Sequence, residues 1–284
     1  MKTHGDHQPF APRTSDWPFF ASFALLGGTY VALILAMVLA DILFTSPHHI
    51  AAALASAEIR YAVRLSLLSC TLTALLSLLV AIPLGYLLAR CRFRGRRIIE
   101  AILDVPIVLP PLVIGLSLLI LFQLKLGGTS LESLLTRAGL PVTFQIPAVV
   151  LAQFAVSAAF AVRTMRVSFE EINPRSEQVA LTLGCTRAQA FWHVALPEAR
   201  RGVLTAATLA WARALGEFGP ILVFAGATRM RTEVLSTSVF LELSVGKIEA
   251  AVAVSLLMIA AAVAVLGLLR LFASEKHFAP SLLK

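Results

Sequence analysis

Arg213 and Glu217 stand four residues apart inside 202–224, a run otherwise made largely of apolar and small residues. Four residues is just over one helical turn, so both side chains fall on one helix face. An ionised group at membrane depth costs about 2.5–3.5 kcal/mol on insertion scales, so the pair needs a reason to be there. Two chemistries supply one. The guanidinium can attract an anion while the carboxylate limits how tightly it is held, or the two charges can form a buried structural ion pair. Arg before Glu is the poorer order for a helical pair, which points to a further partner for at least one of them on another helix or subunit. Gly216 and Gly219 thin the same surface, and Pro220 removes the amide that would bond the carbonyl of Gly216. Small residues allow close helix approach, as at a dimer seam. Arg213, Gly216, Glu217, Gly219 and Pro220 are therefore candidates for a translocation path or a subunit seam.

A second set of residues interrupts the apolar sequence through its backbone. Pro106, Pro110 and Pro111 cluster at the entry to another apolar run, 105–124. Each lacks an amide donor and clashes with the carbonyl four residues earlier. Broken backbone at membrane depth is tolerated only inside protein or beside a watery cavity. These prolines read as a kink or gate facing a bundle interior, or as a packing kink alone. Pro83, followed by Gly85, can bend the run before it in the same way. Ser66, Ser69, Thr71 and Thr73 offer neutral donors in that run, although such hydroxyls commonly bond their own helix.

The third candidate is polar. "EQVALTLGCTRAQAFWHVALPEARR", residues 177–201, separates two apolar runs. Asn173 can cap a helix whose first position is Pro174, where a missing N–H costs nothing. That helix carries Glu177, Val179, Ala180 and Leu183, and Gly184 supplies a left-handed stop. Thr186 and Gln189 have the spacing of a capping box and start a second short helix. Phe191, Val194 and Ala195 make one side of it apolar, and Pro197 interrupts it before the next apolar run. A pair of short helices with a fixed turn is either an interfacial element lying on lipid or a docking element for another protein.

The elements that must position these groups are apolar helices. The chain has 284 residues, 58% hydrophobic and 14% charged, with mean hydropathy +0.84. Soluble domains carry nearer a quarter charged residues, so the composition indicates a polytopic membrane protein. Six runs approach the ~20 apolar residues that cross a bilayer, at 19–44, 65–88, 105–124, 146–162, 202–224 and 250–269. With the amino terminus inside, sixteen Lys and Arg fall on the inner side against seven outside, Arg213 alone lying within a span. The inner set includes the arginines of RCRFRGRR, which the bias and lipid headgroups explain without a ligand. Both termini are expected in the cytoplasm, and the 177–201 stretch with them. The formal charge of +8 is thereby accounted for, and no nucleic-acid partner is expected.

Other chemistry is sparse. Cys70, Cys91 and Cys185 fit no disulfide or metal spacing, and His4 and His7 read as solvated tail residues. No G-x-x-x-x-G-K-[ST] occurs, so the chain cannot bind ATP through a P-loop. No nucleophile or metal cluster marks an enzyme. The expected organisation is a disordered cytoplasmic tail at 1–18, a first span and outer loop at 19–60, a core at 61–272 with a cytoplasmic loop at 167–201, and a tail at 273–284.

The polar loop resembles the signature loop of binding-protein-dependent ABC importer permeases: Glu-Ala-Ala, three residues, Gly, nine residues, Ile-x-Leu-Pro. Here it reads Glu177-Gln178-Val179-Ala180, then Gly184, then Val194-Ala195-Leu196-Pro197, with Val179 and Val194 where the family usually has Ala and Ile. "AIPLGYLLAR" (81–90), "VPIVLPPLVIGL" (105–116) and "RALGEFGPILVFAG" (213–226) are similar to the molybdate, tungstate and sulfate branch. The resemblance covers roughly 60–270. It implies an all-α, six-helix type I importer permease in the inner membrane of a bacterium or archaeon, without enzymatic activity of its own. It implies a homodimer in the lipid bilayer, a P-loop ATPase docked on the loop, and an extracytoplasmic substrate-binding protein. ATP and Mg belong to the ATPase, and this chain carries no cofactor. By the same resemblance Glu177, Ala180, Gly184, Leu196 and Pro197 belong to the ATPase-coupling loop. The outer stretch 226–240 would contribute to a gate or to the landing face of the binding protein. The implied cargo is molybdate or tungstate, then sulfate or thiosulfate. Ferric iron and polyamine importers share the loop, and a proton-coupled secondary transporter using Arg213 and Glu217 is the alternative of another class.

Overall fold

The computed structural model describes residues 17–274. The expected tails at 1–18 and 273–284 lie outside the described residues, save for their inner ends, which are helical. The chain divides into two compact units, 1–46 and 47–284. The first holds α1 (Trp17–Phe44), whose 28 residues would extend ~42 Å, enough to cross a bilayer.

The second unit begins with α2 (Pro47–Ala55) and α3 (Ala57–Arg90), then α4 (Arg96–Val108) and α5 (Pro111–Gln123). A two-residue antiparallel hairpin, β1 (Lys125–Leu126) with β2 (Thr129–Ser130), leads to α6 (Leu131–Arg137) and α7 (Ile146–Glu171). There follow α8 (Pro174–Thr182), α9 (Arg187–Ala190), a π-helical turn at Phe191–Ala195 and α10 (Leu196–Glu198). The unit ends with α11 (Arg200–Leu215), α12 (Gly219–Phe224), α13 (Leu235–Ser244) and α14 (Ile248–Ser274).

Helices α3, α7 and α11 form the centre of this unit. Small side chains recur along α3 at Ser66, Cys70, Thr73, Ser77, Ala81 and Gly85, every three or four residues, and all are buried. They bring α3 close to its neighbours. A Cβ at Gly85 would lie 2.8 Å from Met165 Cβ and 2.9 Å from the Arg166 amide nitrogen of α7. Lipid tails are as apolar as leucine, so helices associate in a membrane through such close packing rather than through water exclusion. Ser56 starts α3, its hydroxyl accepting from the Ile59 amide, eight residues before the first apolar position of the expected span. Pro83 lies inside α3, which continues to Arg90.

Among the described residues, four helical stretches are long and apolar enough to cross a membrane: Phe19–Phe44, Ala57–Arg90, Ile146–Glu171 and Ile248–Leu269. A fifth is present if α4 and α5 are counted as one span, although they meet at a bend of 113°. The two runs expected as continuous third and fifth spans are the interrupted ones. Pro110 and Pro111 follow α4 without amide donors, so its helix ends at Val108 and α5 starts afresh at Pro111. Pro106 sits within α4 and is not at the break. The 202–224 run is divided between α11 and α12 by Gly216, Glu217 and Phe218.

Candidate functional site

The polar loop has the local structure its sequence dictates. The Asn173 side chain accepts from the Arg175 amide, with Pro174 at the first helical position. Gly184 has φ +92°, in the left-handed region. Its amide donates to Leu181 O at 3.1 Å, and the Cys185 amide donates to Ala180 O at 3.1 Å, closing α8. Thr186 and Gln189 form a reciprocal capping box that opens α9. Pro197 does not interrupt the chain as expected. The wide turn at Phe191–Ala195, closed by the Leu196 amide on Phe191 O, carries the helical path past the missing proline donor into α10.

The two faces of this loop differ. Glu177 is buried and points inward, its carboxylate accepting from Arg90 Nε at 2.7 Å and Tyr86 OH at 2.6 Å. Ala180 and Ala195 are buried too, Leu196 is half-buried and Pro197 exposed. Tyr86 stacks edge-on with Phe169 and Phe191. These contacts fasten the loop to α3 and α7. The Arg90 guanidinium also donates to Ile172 O, fixing the entry to α8. Facing away are Val179, Leu183 and Trp192, exposed by 57, 80 and 64%. Large apolar side chains left exposed on a helix end held this firmly mark a candidate contact surface. Glu177 and Ala180 position that surface, and the exposed apolar side chains constitute it.

Next to the loop, Arg96 and Glu100 of α4 meet Arg166 and Glu170 of α7 in a closed ring of ion pairs at 2.7–3.3 Å. The sequence marks RCRFRGRR only as a charge run. One of its arginines, Arg90, holds Glu177, and another, Arg96, holds α4 against α7.

The second candidate site is the meeting of the two interrupted segments. A Cβ at Gly115 of α5 would lie 2.7 Å from Pro220 Cα and 3.0 Å from Pro220 O. A Cβ at Gly219 would lie 3.0 Å from Leu112 N and 3.1 Å from Pro111 Cβ. So α5 and α12 start against each other, backbone to backbone, and the prolines and glycines of two distant motifs form one contact. A Cβ at Gly216 would meet only Ala212 O, at 3.9 Å, so Gly216 takes no part in this approach. We expect Gly115→Ala to cost about 1–3 kcal/mol by overpacking backbone that cannot yield. Gly216→Ala, with room for its methyl group, should be near neutral. Thermal unfolding of the two purified variants checks the contrast.

Glu217 lies at the break after α11, with its side chain 1% exposed. Arg213 Nη1 is 2.6 Å from Glu217 Oε2, and Arg213 remains 29% exposed. The contact is an ion pair without aligned hydrogen-bond geometry. Within the chain the two residues pair with each other. Arg213 adds a cation–π contact, its Cζ 5.7 Å from the centre of the Phe160 ring of α7. The Arg213 guanidinium thus stays part-exposed beside its buried counter-charge.

Gln153 completes the site and is not distinguishable in the sequence from any other polar residue in an apolar run. Its amide nitrogen donates to Ala214 O at 3.2 Å, and its oxygen accepts from Thr73 at 3.1 Å. Ala214 is in the last turn of α11, and its carbonyl also accepts from the Gly216 and Glu217 amides. Gln153 thus ties α7 and α3 to the break. Ser69 and Thr71 bond their own helix as expected, while Ser66 accepts from the Leu235 amide across the unit. Among the described residues no group of His, Cys, Asp or Glu is arranged to hold a metal ion.

Residues 81–277 match the family described as binding-protein-dependent transport system inner membrane component. The molybdate/tungstate transport system permease protein of Pyrococcus abyssi is 40% identical over 164 residues, 58% of this chain and 60% of that protein. The sulfate transport system permease protein CysT of Salmonella typhimurium is 32% identical over 205 residues, 72% of this chain and 73% of that protein. The match to the first of these spans less than two thirds of its length. In three dimensions the fold is similar to a chain of a bacterial alginate ABC transporter, solved with a periplasmic protein carrying an alginate pentasaccharide. The TM-score is 0.71 at 18% identity, over 91% of this chain and 94% of that one.

Proposed function

The chain belongs to the family of binding-protein-dependent transport inner membrane components, and from that premise we propose that it is the pore-forming subunit of an ATP-driven importer of tetrahedral oxyanions. Molybdate or tungstate is the first cargo and sulfate or thiosulfate the second. Two copies form the path, a separate P-loop ATPase hydrolyses ATP, and an extracytoplasmic binding protein delivers the anion. The reading includes six spans with both termini inside, an arrangement that would leave the 167–201 loop in the cytoplasm and the 226–240 stretch outside.

The observation that carries this reading is the two-faced loop. Its inner face is fastened by Glu177, Arg90 and Tyr86. Its outer face offers Leu183 and Trp192 with no neighbour to cover them. A push on that face reaches α11 through the continuous helical path of α9, the π turn and α10. The break at Gly216–Phe218 and the Arg213–Glu217 pair lie at the far end of α11. ATP binding in the partner would shift this lever as a unit, the rigid-body type of switch. Arg213 supplies a positive charge beside the α11–α12 break for an anion in transit. Discrimination among oxyanions of equal charge and similar size is left to the binding protein.

A cysteine at Leu183 tests the docking face directly. In membranes holding the whole complex, Leu183→Cys should cross-link to the ATPase subunit, and cysteine at the inward-facing Ala180 should not. Reaction of Leu183→Cys with a lipid-soluble thiol reagent and no cross-link would assign the loop to the membrane surface.

A further inference from the structure

The loop at 225–234 is more deeply packed than its polar sequence suggests. Thr232 and Glu233 are 0% exposed, and Val234 and Leu235 scarcely more. Contacts at four residues hold it and the start of α13 that follows. Arg229 pairs with Glu58 in the first turn of α3 and, at 2.8 Å, with Glu242 of α13. Tyr61 OH donates to Arg231 O at 3.0 Å. The Leu235 amide donates to Ser66 at 2.8 Å, and Ser236 Oγ donates to Glu217 O at 2.7 Å. That last bond joins the loop to the residue that carries the buried charge of the α11–α12 break.

Within this packed loop the Glu233 carboxyl is poorly provided for. One oxygen accepts from Ser238 at 2.8 Å, and the other has no hydrogen-bond partner. The nearby cation, Arg229, is shared between Glu58 and Glu242. His49 and Lys247 line the adjoining cavity of about 240 Å³ together with Arg229, Glu58 and Glu242. A lone carboxylate buried among other carboxylates is the costly arrangement, and a neutral carboxylic acid is the cheap one. We propose that Glu233 is a proton-binding site that latches this loop: it holds a proton while the loop is packed and releases it when the loop leaves its seat.

The chemistry balances without a further reactant. Unpacking exposes the carboxyl, its O–H bond breaks, and the proton passes to water on that side. Burial raises the affinity of Glu233 for its proton, and the neighbouring Glu58 and Glu242 raise it further, against the lowering by Ser238 and Arg229. The sign follows. A group whose proton affinity is higher in the packed state stabilises that state fully below the ordinary carboxylate range. The stabilisation is lost as pH rises through the higher, packed-state value. Alkaline conditions therefore favour loop release and acid conditions hold it. This is regulation of the proposed gate and not the driving force, and it rests on the proposed function only in placing the loop outside.

Thiol accessibility tests it without ATPase or substrate. Val234→Cys, at a buried apolar position, is labelled in the full-length chain, and Val245→Cys, an exposed position just after α13, corrects for thiol ionisation. The unsubstituted chain gives the background from Cys70, Cys91 and Cys185. The corrected labelling of Val234→Cys should rise with pH, by up to about tenfold for each unit separating the packed and released proton affinities. Adding Glu233→Gln, which mimics the neutral acid, should leave labelling low and flat. Adding Ser238→Ala, which removes the donor favouring the charged form, should move the rise to higher pH. Flat labelling in the parent, a rise that survives Glu233→Gln, or a rise unmoved by Ser238→Ala would each overturn the proposal. None of these results depends on whether the chain transports an oxyanion.

Discussion

Gly184→Pro should abolish recovery of the ATPase with the chain and lower ATP-driven uptake by at least about tenfold, which is about 1.4 kcal/mol of coupling. Proline holds φ near −65°, and Gly184 sits at +92°. Proline also lacks the amide that bonds Leu181 O. The substitution therefore removes both the turn and one of its two closing hydrogen bonds, and Leu183 loses its setting. Nothing packs on Gly184, since a Cβ there meets no atom within 4 Å. Gly184→Asn, a residue that adopts left-handed backbone readily, should then keep most of the binding and uptake. Co-purification and uptake measured on the two variants separate a demand for turn geometry from a demand for glycine itself. Equal loss in both would place the contact on Gly184.

The second large effect concerns Arg213. Arg213→Ala leaves the Glu217 carboxylate buried without its counter-charge. Removing one partner of a buried pair costs about 3–5 kcal/mol, and the lower end applies here because Arg213 is 29% exposed. The single variant should therefore be unstable and uninformative about transport. Arg213→Met with Glu217→Gln removes both charges at similar volume and should recover stability to within about 1–2 kcal/mol of the parent. If Arg213 serves the anion, this double variant still assembles with the ATPase and yet loses at least about tenfold in oxyanion uptake. Unfolding curves and uptake measured on the same preparations decide it. Normal uptake by the double variant would assign the pair to structure alone.

The legibility of these sites in the sequence follows the range of the interactions. The loop was readable because its caps are local: Asn173 to Arg175, Thr186 to Gln189 and the turn at Gly184 are each closed within a few residues. The broken helices were readable as breaks because proline acts on its own backbone. What was not readable lies between distant residues. Glu177 belongs to the loop by its place in the motif, but its partners Tyr86 and Arg90 are 91 and 87 residues away, and they turn it inward. The pairing of Gly115 with Pro220 and of Gly219 with Pro111 needs two breaks to meet, and no periodicity reports that. Gln153 and Glu233 carry no motif at all; each matters through what surrounds it. Pro197 misled because a π turn can absorb a proline that a regular α-helix cannot.

The sequence placed the Arg213–Glu217 pair on one helix face and looked elsewhere for a partner. Within the chain each finds the other: Glu217 sits just past the end of α11, where the helix breaks and its carboxylate folds back onto Arg213. Pair order on a regular helix is a poor guide at a helix terminus, where the backbone no longer sets the side-chain directions.

The most direct test uses proteoliposomes containing the chain and its ATPase, with the binding protein outside and ATP enclosed. Uptake of labelled molybdate or tungstate should require ATP and the binding protein, and should persist when an uncoupler collapses the proton gradient. Uptake by the chain alone, driven by a proton gradient and abolished by the uncoupler, would contradict an ATP-driven importer and identify a secondary transporter instead.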